Sequence, residues 1–178
     1  MKYTFFVLLI ALSSILTSCK KGGFTPFDID YESSIVIQNV TGINTPFNFL
    51  TPDVESNSES EFEVNDTRKD KIQEIKLSSL RLEIVDPPGQ EFDFLKDVEL
   101  FISADGLDEI LLAYKYDVDN SVGSTLNMTC SQSDFQEYIK KDKFKLRVRT
   151  VSDEYVMSDI EVKIYSTFNV DAKLIGKA

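Results

Sequence analysis

"KFKLRVRTV", Lys143 to Val151, alternates a charged or polar side chain with an apolar one along almost its whole length. A period of two belongs to a strand buried on one side, so Phe144, Leu146 and Val148 point to a core while Lys143, Lys145, Arg147 and Arg149 point away from it. Beyond a turn around Ser152 to Glu154, "SDIEVKIYSTFNV" (Ser158 to Val170) repeats the pattern, with Ile160, Val162, Ile164 and Phe168 on one side. The chain therefore closes with two strands.

The same period recurs upstream. "FDIDYESSIVIQ" places Phe27, Ile29, Tyr31, Ile35 and Ile37 on one parity, as one bent strand or two. "LSSLRLEIVDPPG" places Leu80, Leu82 and Ile84 on one face before Pro87, Pro88 and Gly89 enforce a turn. "DVELFISADG" and "EILLAYKY" alternate on either side of Asp105 and Gly106, the signature of a hairpin. "STLNMTC" sets Leu126, Met128 and Cys130 on one side. Only "SQSDFQEYIKKD" changes period: Ser133 is placed to cap a short helix within 133–141 that Gln136 completes, with Phe135, Tyr138 and Ile139 as its apolar side. Residues 51–71, rich in Ser, Asn, Asp and Glu, read as an exposed connection with a short strand around Phe62 and Val64, and "KIQEIKLSSL" as a helical turn leading into a strand. About eight short strands predict an all-β fold, an immunoglobulin-like two-sheet sandwich, with a closed barrel as the alternative.

With 178 residues, 13 Phe and 7 Tyr, the chain has material for one well-filled core without disulfides or metals. A net charge of −11 argues against nucleic acid as a partner, because that surface must displace counterions with cations. The absence of histidine removes the usual general base near neutral pH and the usual nitrogen ligand of transition metals. No nucleophile motif, phosphate loop or paired-cysteine ligand set occurs, so no cofactor is expected and the chain reads as non-enzymatic. A hydrolase acting on carbohydrate or peptide through carboxylates is the weaker alternative.

The start of the chain has a different character. Lys2 is followed by a mostly apolar run from Phe5 to Leu16, the build of an export signal and shorter than the roughly 20 residues needed to span a bilayer. Leu16, Thr17, Ser18 and Cys19 then resemble the lipobox of bacterial lipoproteins, with Thr17 a less usual choice at its position. The resemblance covers only the leader. It implies cleavage after residue 18, a diacylglyceryl thioether on Cys19 and commonly an acylated amino group, anchoring the chain to a membrane. Residues 1–18 would be the signal peptide, 19–26 a lipidated flexible tether, and 27–178 a single domain. Two or three acyl chains hold a protein durably where one holds it marginally. Loss of Lys2 with the leader takes the side-chain charge from −11 to −12, which keeps the domain off an anionic bilayer. Lys20 in place of an aspartate is compatible with the outer membrane of a Gram-negative cell, and the lack of an acidic run after Cys19 favours the periplasmic side over the cell surface.

Three groups of residues in the domain qualify as sites. Lys143, Lys145, Arg147 and Arg149, extended by Lys163 if its strand is the neighbour, could meet an anionic envelope protein or polysaccharide; the competing reading is a solvated face neutralised by carboxylates of adjacent strands. Asp117, Asp119 and Asn120 in "DVDNSVG" open like a calcium loop but lack its later ligands, so turn chemistry is the competing reading. Phe92 and Phe94 could stack on a sugar, or fill the core. Cys130, alone once Cys19 carries lipid, reads as a core residue. A carrier of an apolar ligand between the sheets is a further alternative.

Overall fold

In the computed structural model, residues 26–39 and 42–173 are described. The lipobox Leu16–Cys19 and most of the tether lie outside them. The strands are β1 (Phe27–Ile37), β2 (Pro46–Leu50), β3 (Val54–Glu55), β4 (Ile72–Asp86), β5 (Leu95–Ala104), β6 (Ile110–Lys115), β7 (Thr125–Asn127), β8 (Thr129–Cys130), β9 (Lys143–Ser152) and β10 (Ile160–Ala172). Helices α1 (Ser58–Val64) and α2 (Gln136–Ile139) are the α-helical elements among these residues.

Two antiparallel sheets pack face to face. The smaller has the order β1-β10-β4-β7; the larger has the order β2-β9-β5-β6-β8, with β3 also paired to β9. Alternation is what makes the arrangement work: Ile75, Leu80, Leu82, Leu100, Ile102, Leu146, Val148, Ile164 and Phe168 are all buried between the sheets, and the polar residues between them turn outward. The all-β two-sheet sandwich is as the sequence predicts.

The pairing has a simple logic. β1 pairs with β10, β2 with β9, β4 with β7 and β5 with β6, so the chain is one long hairpin whose tip is the β5–β6 turn. Rolling that hairpin brings β4 against β10 and β5 against β9. Eight principal strands nested in this way form a jelly roll, a sandwich whose strand order is distinct from the immunoglobulin one. At the tip, Gly106 has φ +71°, a conformation that suits glycine because it has no Cβ. The ends of the ribbon meet last in sequence: the Thr167 hydroxyl donates to Asp30 across 137 positions.

Several local expectations are corrected. β9 and β10 are not neighbours; they lie in different sheets, so Lys163 does not extend the β9 stripe. Phe62 and Val64 sit on α1, where positions two apart point to nearly opposite sides: Phe62 is 0% exposed and Val64 81%. "STLNMTC" is two strands, β7 in the smaller sheet and β8 in the larger, and the chain changes sheets at Met128, whose N–H donates to Leu80. "KIQEIKLSSL" does not begin as a helical turn: a 3-10 turn over Lys69–Lys71 ends at its first residue, and the stretch is strand from Ile72 on. α2 buries Tyr138 and Ile139 just after the buried Phe135, but Asp134 rather than Ser133 serves its start: one carboxylate oxygen accepts the N–H groups of Gln136 and Ile75, each at 3.0 Å. That bond also ties the helix to β4.

Candidate functional site

The outer face of the larger sheet carries the four cations of β9, on one side as their spacing predicts. None stands alone. Lys143 and Lys145 share Asp53, at 2.5 and 3.4 Å; Arg147 meets Glu109 at 2.6 Å; Arg149 meets Glu99 at 2.6 Å. The register accounts for the last of these pairs. Thr129, Tyr114, Glu99, Arg149 and Asn48 form one row across five strands, and Leu111, Phe101, Arg147 and Leu50 form the next. In the second row the Arg147 guanidinium lies 4.2 Å from the centre of the Phe101 ring while its Nε and one terminal nitrogen fork onto Glu109.

These pairs move titrations. The hydrogen bond from Lys143 holds the Asp53 carboxyl below its ordinary range, with Lys145 adding to it. Burial pushes Glu99 up, but hydrogen bonds from Tyr116 and Arg149 outweigh it and leave the carboxyl lowered. The stripe is therefore a charge network in which Arg149 faces Glu99 across neighbouring strands, while Asp53 and Glu109 reach the other three cations from the loop positions just before β3 and β6.

In the Asp117–Asn120 loop, the oxygens serve the backbone. One Asp119 oxygen accepts both the N–H and the hydroxyl of Ser121, at 2.8 and 2.6 Å, and these bonds lower its carboxyl. Asp117, at φ +49°, donates its N–H to Asp97. Among the described residues no three His, Cys, Asp or Glu side chains gather as a metal set. Phe92 and Phe94 are 0% and 4% exposed in a short 3-10 helix, so they are core and not a sugar platform. Cys130 is half-buried against the core, and burial pushes its thiol up, away from the reactive thiolate. Between the sheets the buried apolar side chains form one hydrophobic cluster.

A second region emerges only from the fold. β1 is an edge strand, and its outward residues Asp28, Asp30 and Glu32 are acidic. Beside it runs a depression of about 550 Å³ bounded by Asp30, Glu32, Ser33, Asp53, Val54 and Glu55. Tyr31 closes its floor by donating its hydroxyl to the Ser56 carbonyl at 2.7 Å; burial and the nearby Glu61 raise that phenol well above its ordinary value. Ser33, the small member of an inward series otherwise made of Phe27, Ile29, Tyr31, Ile35 and Ile37, is part of the depression's lining. Glu32 pairs with Lys163 at 2.6 Å, whereas among the described residues Asp28 and Asp30 accept from the neutral Asn169 and Thr167. Sequence reasoning passed over this region, although the alternation in "FDIDYE" already displays an acidic face.

No family model matches the chain, and no curated protein matches it. Solved structures with some likeness include a chain of Desmodium yellow mottle tymovirus, 13% identical with a TM-score of 0.30 over 88% of this chain and 93% of that one. Another is from turnip yellow mosaic virus, 11% identical with a TM-score of 0.25 over 88% and 86%. Likeness at this level carries nothing about function.

Proposed function

We propose that the protein is a lipid-anchored binding or structural module of the bacterial envelope, held in the outer membrane and facing the periplasm, with no catalytic role. The observation that carries this reading is the sequence Leu16-Thr17-Ser18-Cys19, followed after a short glycine-containing stretch by the first strand at Phe27. Lipid on Cys19 would leave seven residues before the sandwich begins. β1 runs from Phe27, paired with Val170, to Ile37, paired with Ile160. Eleven residues of strand carry the chain about 35 Å from its point of entry. The sides of such a sandwich are open to neighbours in the envelope.

Growth of producing cells with labelled palmitate tests the anchor. The full chain is expected to incorporate label and to partition with detergent-extracted membranes, while Cys19→Ala does neither. Unlabelled, freely soluble wild-type protein would contradict the reading.

A further inference from the structure

We infer that the outer edge of β1 is a strand-addition site for a positively charged, extended segment of a partner protein. This deepens the binding-module reading and is independent of the lipid anchor. β1 is 11 residues long and pairs only with β10; among the described residues, no strand pairs with its other side. Its ladder to β10 runs from Phe27 to Ile37 with no bulge on β1, so the strand keeps its alternation along its full length. An edge of that kind offers a row of backbone donors and acceptors to an incoming strand.

The side chains specify the visitor. An added strand would set alternate residues beside Asp28, Asp30 and Glu32 on the outer face, where lysine or arginine makes favourable cross-strand pairs. The residues in between would turn inward over Ser33 and Val54, into the depression of about 550 Å³. There Val54 and Ser33 leave room for small side chains, within a border of Asp53, Glu55, Asn57 and the cation Lys163. A neighbouring hollow of about 300 Å³ continues the acidic border with Glu55, Glu59 and Asp142, against the single cation Lys69. The favoured ligand thus alternates basic residues with small ones in an extended conformation.

The same charges argue against a second copy of this chain. Antiparallel pairing of β1 with itself about Asp30 would put Asp30 opposite Asp30 and Asp28 opposite Glu32, and like charges directly opposed on a sheet are destabilising.

The test uses the full chain in detergent and a blocked synthetic peptide alternating lysine and valine, about ten residues long to match β1. Titration by isothermal calorimetry is paired with backbone NMR shifts. The proposal expects saturable binding, shifts concentrated in residues 27–37, and affinity about tenfold lower for Asp30→Lys with Glu32→Lys. The milder pair Asp30→Asn with Glu32→Gln, which adds no like charge beside Lys163, is expected to lose a smaller part. Four results would each overturn it: no shifts in β1, unchanged affinity in both folded variants, equal binding of a peptide with the same lysines grouped at one end, or concentration-dependent dimerisation through β1 that excludes the peptide. Palmitate labelling bears only on the anchor, so the two claims fail separately.

Discussion

β1 and β9 look alike in sequence, each alternating charge with apolar bulk, and they end in opposite circumstances. β9 has neighbours on both sides, β5 on one and β2 with β3 on the other, and each of its four outward cations finds a carboxylate on an adjacent segment. Among the described residues β1 has a neighbour on one side only, and of its three outward carboxylates one meets a cation. A charged stripe thus acquires its meaning from its place in the sheet. At the centre it becomes internal bonding; at an edge part of it is left for another molecule.

The largest expected difference between the two strands is in core stability. Phe144 on β9 is fully buried and meets Tyr31 edge-on at 5.2 Å, so Phe144→Ala should cost about 3–5 kcal/mol. Phe27 on β1 is only partly buried, and Phe27→Ala should cost about 1–2 kcal/mol on the area it covers. Urea unfolding of the two variants makes the comparison, and equal losses would break it.

Charge reversal comes next. Glu109→Lys puts a cation against Arg147 and should cost about 1 kcal/mol, whereas Asp28→Lys on the open strand should stay within about 0.5 kcal/mol. A larger effect at Asp28 would mean that its charge is already matched.

Acid should then weaken the matched face. Asp53 and Glu99 on that face, and Asp119 in its loop, have lowered folded pKa values, so the folded protein resists their protonation more than the unfolded chain does. Their stabilising contribution is fully present above the ordinary carboxylate pKa of about 4 and is lost as pH falls through the lowered folded values. Thermal midpoints should decline over that window, and Glu99→Gln should flatten the decline. The smallest effect is that of Arg147→Lys, which keeps the charge but loses the fork to Glu109 and the ring contact with Phe101, for about 0.5 kcal/mol.

How much of this was legible beforehand follows from the range of the forces involved. Alternation is local, so β9, β10 and the β5–β6 hairpin could be read from sequence, together with the inward set Phe144, Leu146 and Val148. Strand order is not local: β1 and β10 find each other across more than a hundred residues, and nothing near "KFKLRVRTV" says that β10 belongs to the opposite sheet. β2 left a weak trace because its five residues are exposed or half-buried throughout. α1 was obscured because Phe62 is its one apolar anchor in the core, too few to display a helical period. The stripe on β9 was visible but its partners were not, since Asp53, Glu99 and Glu109 come from separate segments. The groove beside β1 has both Ser33 and Val54 in its lining, and only the fold brings those together.

Amide hydrogen exchange of the partner-free protein, followed residue by residue in β1 and β9, tests the contrast most directly. With one side open, β1 should show alternation, slow amides bonded to β10 between fast ones facing outward, while slow exchange runs without interruption through the middle of β9. Uniformly slow exchange from residue 28 to residue 36 would show the edge of β1 already occupied, and would contradict the account.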